Sequence, residues 1–266
     1  MKFNMKSLVV AAALVAAGAA NAADLTLTPG ASITDQGWTV SGLSGSGTLS
    51  FSPLLLEALV AGSVAVAGVE PADVQVVGGL LDGYYESVKA AAPITALTGS
   101  FDGTTVSVNK VATAGGALQT SYADDFTNSG GSLEIKNLTV DLGAKMVYAD
   151  LVGGNGVGSV NNVALWNIGT ITGPTSLEAV EDTITVKNTL SNLSITDGAF
   201  ALFIQSLGIL EGGYGVLQSI SDYGTIESSI TVTAAKVTPA VPEPSTYALM
   251  GLGLVGISLV ARRRAK

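Results

Sequence analysis

The chain has 266 residues, of which 12 are Lys or Arg and 21 are Asp or Glu, giving a net charge of −9. It contains no Cys and no His, which excludes disulfides, thiol nucleophiles and zinc–thiolate sites, and removes the commonest general base and metal ligand. At 47% apolar it is too hydrophobic for a disordered polyelectrolyte, and its acidity argues against a nucleic-acid partner.

The N-terminus reads as an address. Lys2 and Lys6 precede a 14-residue apolar run over 7–20. As a helix that run would be about 21 Å long at ~1.5 Å per residue, short for a hydrocarbon core of roughly 30 Å. Ala20-Asn21-Ala22 then supplies small residues at both cleavage positions, leaving Ala23 as the new terminus. Residues 1–22 are therefore expected to be a secretory signal peptide, handled by the secretion machinery and signal peptidase.

The body, 23–240, carries short Val-, Thr-, Ile- and Leu-rich runs separated by Gly, Asn and Asp, the pattern of a mainly β, sandwich-like antiparallel fold. Strands are predicted at 25–27, 38–40 and 47–51. Ser52-Pro53 reads as an N-cap followed by proline at the first helical position, and Gly62 as the stop. A second helix is predicted from Asp82, with Leu81, Tyr84, Tyr85 and Val88 on one face and Pro93 at its end. Strands follow at 104–111 and 118–122.

The clearest β signal is 132–152. Leu133 and Ile135 alternate in one phase, and Leu138, Val140 and Leu142 in the other. The slip at Lys136-Asn137 predicts a bulge, and Gly143-Ala144-Lys145 a hairpin turn. The Gly-rich loop 153–158 lacks the Lys-Ser/Thr pair of a phosphate loop and leads into a strand at 160–168. Further strands are predicted at 183–186, 193–196 and 225–232. A third helix should begin at Asp197, bury Phe200, Phe203, Ile204 and Leu207, and close at Gly212-Gly213.

Catalytic chemistry is hard to place on this body. No Ser-His-Asp or Cys-His set exists. Ser107 and Lys110 are three apart on a strand and so face opposite ways. Asp124-Asp125 and the Glu178, Glu181, Asp182 group could in principle form a carboxylate pair, but adjacent loop acids usually solvate turns. Asp102-Gly103 and Asp197-Gly198 read as turn signals, and no calcium-loop spacing is present. Trp38, Trp166 and the Tyr84-Tyr85 pair are the aromatic groups that could serve a carbohydrate or small-ligand site. No cofactor, no metal site and no catalytic residue is expected.

The C-terminus has three ordered parts. Pro242-Glu243-Pro244 comes first, then the uncharged stretch 247–261, then Arg262, Arg263 and Arg264 with Lys266 last. Prolines keep the first part extended and without backbone donors. The apolar stretch suits a bilayer, and the arginines would stay on the cytoplasmic side. The two ends hold half of the basic residues, so the body keeps six Lys against 20 acids, a net charge of −14.

This tail, 241–266, resembles the PEP-CTERM sorting signal in its Pro-Glu-Pro, its Gly-rich hydrophobic segment and its basic end. The resemblance implies an exosortase substrate of a Gram-negative bacterium, with Pro242, Glu243 and Pro244 recognised and Arg262 to Arg264 as the cytoplasmic anchor. It further implies export, a transient halt in the inner membrane facing the periplasm, cleavage, and delivery to the envelope or the extracellular matrix. The expectation is a non-enzymatic envelope or biofilm protein associated with exopolysaccharide. The rival readings are a carbohydrate- or small-ligand-binding β module and a carboxylate-based hydrolase.

Overall fold

The computed structural model describes residues 24–124 and 126–237. The mainly β, antiparallel architecture expected from the alternating runs is what it shows. The strands are β1 (Leu25–Leu27), β2 (Ser32–Asp35), β3 (Trp38–Phe51), β4 (Val64–Val69), β5 (Asp73–Gly79), β6 (Tyr84–Phe101), β7 (Thr105–Thr113), β8 (Gly116–Ser121), β9 (Gly131–Asp141), β10 (Met146–Gly153), β11 (Gly158–Thr172), β12 (Ser176–Glu178), β13 (Asp182–Ile195) and β14 (Gly224–Lys236). Three α-helices complete the described set: α1 (Pro53–Ala61), α2 (Asp197–Leu207) and α3 (Glu211–Gln218).

All these strands belong to one sheet, and its path returns on itself. The order β7-β6-β3-β14-β13-β11-β10-β9 is closed by a short ladder between β7 and β9, in which Lys110, Val111 and Ala112 face Asp141, Val140 and Thr139. Closure removes the free edges that long hydrophobic strands would otherwise expose. A ring of eight strands encloses an interior that side chains fill, or that holds one small ligand. Strand β8 pairs with β9 and then β4, while β1 and β5 pair with β6.

Two apolar clusters fill the fold. The larger gathers α1, α2 and inward-facing residues of β3, β4, β6, β9, β10, β11, β13 and β14, with Leu133, Leu151, Leu165 and Leu193 fully buried. The smaller joins Leu27, Leu43, Ile94, Leu97, Val108, Val111, Ile230 and Val232. On the outside of β13 and β14, the hydroxyls of Thr183 and Thr233 (3.2 Å) and of Thr185 and Thr231 (2.9 Å) pair across the strands, contacts that support the register.

The Ser52 signal for α1 is realised in full. Its Oγ accepts from Leu55 N at 3.1 Å, Pro53 opens the helix, and Gly62 N donates to Ala58 O. The hairpin of β9 and β10 also forms, with the bulge at Asn137 (φ +54°) and a turn whose Ala144 N–H is held by Asp141 Oδ1. Residues 154–157 turn between β10 and β11, with Asn155 and Gly156 at positive φ.

The second predicted helix is a correction. Only a single 3₁₀ turn, Leu80–Asp82, precedes Gly83 (φ +75°), and from Tyr84 the chain is the 18-residue strand β6. Tyr84 is 58% exposed and Tyr85 9%, an alternation that a helix face does not give. Val88, Ala90, Ala92 and Ile94 continue the buried series past Pro93. Strand β5, rich in Val, supplies the hairpin partner that converts this segment to β. The end of the third helix is a second correction. Helix α2 starts at Asp197 under a Thr196 cap but closes at Gly208 (φ +64°), and Gly212-Gly213 lies inside α3. A Cβ on Gly213 would press on the Thr127 carbonyl, so glycine there lets α3 approach the 126–127 loop.

Candidate functional site

Two cavities in the described residues have enough chemistry to consider. The first lies inside the strand ring and measures about 70 Å³. Leu49, Ala92, Val111, Val140, Leu190 and Ile226 line it from several sides of the ring, and Leu55 of α1 and Phe203 of α2 cover it. Trp166, Asn188 and Tyr223 also line it. All three have a buried polar atom, Nε1, Oδ1 and OH respectively, without a hydrogen-bond partner among the described residues. Leaving such an atom unsatisfied costs on the order of 1–3 kcal/mol, and native interiors rarely tolerate it.

Local structure fixes Tyr223 there. Its N–H donates to Leu193 O at 2.7 Å and its carbonyl accepts from Ser52 N at 3.3 Å. Asp222 Oδ1 accepts from both Leu193 N and Gly224 N at 3.0 Å, while Ser52 Oγ donates to Asp222 O at 2.5 Å. Gly224 is at φ +142°, and a Cβ on it would overlap the Ser50 carbonyl oxygen. The phenol is therefore inserted by a rigid corner, and burial raises its pKa so that it stays neutral. Trp166, on β11 between Val147 and Ile195, lies 6.3 Å from it, ring centre to ring centre.

The second cavity is polar and larger, about 330 Å³, within the range of ligand clefts. It sits where β10 shifts register against both β9 and β11. Bulges of this kind re-aim side chains, and the two positive-φ residues Asn137 and Asn162 flank the cleft. Asp150 at its centre accepts from Asn137 Nδ2 at 3.1 Å and from Asn162 N at 3.0 Å. Tyr148 offers a half-buried aromatic face beside them, and Thr95 and Thr139 add hydroxyls. Sequence reasoning singled out Trp166 of the first cavity as a ligand candidate, but neither Tyr223 nor any residue of the second. The Asn at the β9 slip was the only local sign of the second.

The acids singled out in the sequence do not face one another across either cavity. Asp124 closes a turn: its carboxylate accepts from Thr127 Oγ1 and from the N–H groups of Phe126, Thr127 and Asn128, which hold its pKa well below the usual range. Asp125 lies outside the described residues. Glu178, Glu181 and Asp182 are exposed around β12 and the start of β13. Lys110 pairs with Asp141 at 3.1 Å. Of the aromatic candidates, Trp166 lines the inner cavity, Trp38 is half-buried away from it, and Tyr85 OH donates to Val64 O.

Comparison with protein families finds the decisive feature in the tail. Residues 240–264 match the PEP-CTERM protein-sorting motif. The chain carries a PEP-CTERM sorting signal. The match contains Pro242, Glu243, Pro244, Arg262, Arg263 and Arg264. These residues, the apolar stretch 247–261, and Ala20, Ala22 and Ala23 at the signal-peptide site all lie outside the described residues. Among the described residues no helix is long and apolar enough to cross a membrane. PEP-CTERM signals mark exported proteins processed by an exosortase, and this chain is one of them. Neither the curated proteins nor the solved structures include a match to the chain, so the β body is not assigned to a family.

Proposed function

We propose that the protein is a non-enzymatic component of the cell envelope or extracellular matrix, working in contact with exopolysaccharide. The sorting motif at 240–264 carries this reading. On this reading the signal peptide ends at Ala22 and the hydrophobic stretch halts the chain in the inner membrane with its body on the periplasmic side. The arginines stay in the cytoplasm, and an exosortase that recognises Pro242, Glu243 and Pro244 releases the body. A body with a net charge of −14 stays soluble by self-repulsion once released.

The polar cleft favours a carbohydrate-binding role for the released body. An aromatic face, a carboxylate and several amide and hydroxyl groups are what a sugar ring needs for stacking and for its hydroxyls. The test is fractionation of producing cells with and without the exosortase. With it, the body should be recovered with the matrix polysaccharide. Without it, the body should accumulate in the inner-membrane fraction. Equal distribution in both strains would refute the reading.

A further inference from the structure

We infer that the interior of the strand ring is a binding site for a small neutral amphiphile, a slender aliphatic molecule with one hydroxyl group. The site is independent of the polar cleft and of the sorting signal. Trp166 is 3% exposed and Tyr223 1%, and each keeps an unpaired polar atom at the wall of one cavity. Asn188 Oδ1 is also unpaired but lies against Gly173, so the indole and the phenol carry the argument.

The chemistry of the wall selects the ligand. Indole Nε1–H only donates, whereas a phenol both donates and accepts. A hydroxyl accepts from the first and can either donate to or accept from the second, whereas a carbonyl can only accept from both and leaves the acceptor side of the phenol unused. No Lys, Arg, Asp or Glu lines the cavity, and the Tyr223 phenol is neutral, so a charged head group would find no counter-ion. The remaining lining is aliphatic and aromatic apart from a few small polar groups, which suits a hydrocarbon tail. At about 70 Å³ the space exceeds the roughly 10–15 Å³ that one water requires, and it suits a narrow chain better than a ring.

The two Trp make the test direct, since the chain gives only two indole N–H signals. The ¹⁵N-labelled full chain is titrated with 1-hexanol, with hexane as the control lacking a hydroxyl. The indole signals are assigned with Trp38→Phe. The Trp166 indole proton should move downfield saturably with hexanol and not with hexane, while the Trp38 signal stays still. Tyr223→Phe should weaken the hexanol titration roughly tenfold, the effect of one lost hydrogen bond. Ala117→Leu, which adds bulk to the wall, should abolish it while the spectrum stays dispersed. An unmoved Trp166 signal, equal movement of both indoles, or undiminished binding in Tyr223→Phe would overturn the proposal. A Trp166 indole already bonded to ordered water that hexanol does not displace would overturn it too.

Discussion

Ser52→Ala tests the corner that ties the first helix to the barrel interior. The hydroxyl caps α1 by accepting from Leu55 N and donates to Asp222 O, all within a site only 8% exposed. Losing an N-cap costs about 1 kcal/mol. Losing a buried hydrogen bond to a carbonyl costs about 1 kcal/mol more. The expected destabilisation is therefore ~2 kcal/mol, a fall of roughly 4–8 °C in melting temperature for a body of this size. Urea unfolding followed by far-UV circular dichroism gives the free energy, with Ser52→Thr expected to recover part of it. Indole fluorescence should change in the folded Ser52→Ala protein as well, because the same corner inserts Tyr223 beside Trp166. A destabilisation under about 0.5 kcal/mol would refute the assignment of Ser52 as both cap and tether.

Other outcomes follow from single sites. Gly224→Ala should cost ~3 kcal/mol, because it combines a positive φ with overlap on the Ser50 carbonyl oxygen; chemical denaturation reads it directly. The depressed pKa of Asp124 means that its stabilisation is complete above about pH 4 and is lost as pH falls below that toward the folded-state value. Asp124→Ala should therefore flatten the fall in stability below about pH 4, as measured by unfolding midpoints from about pH 5 down to about pH 2. Tyr148→Ala should reduce retention on matrix polysaccharide roughly tenfold in affinity electrophoresis while leaving the melting temperature within about 2 °C.

The parts of this molecule that were legible in its sequence are those encoded locally. Ser52-Pro53 and Gly62 mark α1 because capping is a matter of a few adjacent residues. The phase slip at Lys136-Asn137 betrays a bulge because strand alternation has a fixed period. The tail is legible for the same reason, its three parts being contiguous. What escaped is set by contacts distant in sequence. Strand β3 continues through the Gly-Ser run at 41–46, between the two strands predicted from sequence, because Gly45 at φ +137° lets the chain lie against the Ser229 carbonyl. Strand β13 likewise runs on from 186 to 193, with Asn192 at φ +56° taking up a local kink. Helix α3 has a Glu-Gly-Gly-Tyr-Gly start that intrinsic propensity disfavours, and packing on the 126–127 loop overrides it. The segment from Asp82 looked helical because Leu81, Tyr84, Tyr85 and Val88 satisfy a 3.6 period by coincidence, while β5, its real partner, lies upstream. Ring closure and the indole and phenol inside it depend on residues distant in sequence, Lys110 to Ala112 with Thr139 to Asp141 and Trp166 with Tyr223. No local window contains them.

The claim on which the functional account rests is that the tail is a removable sorting signal on an exported body. Intact-mass measurement of the protein recovered from the producing cell's envelope and medium tests it most directly. The account predicts a chain beginning at Ala23 and ending near Pro242 to Pro244, without the segment 247–266. Full-length protein in the cytosol, with residues 1–22 and the arginine cluster still attached, would contradict it.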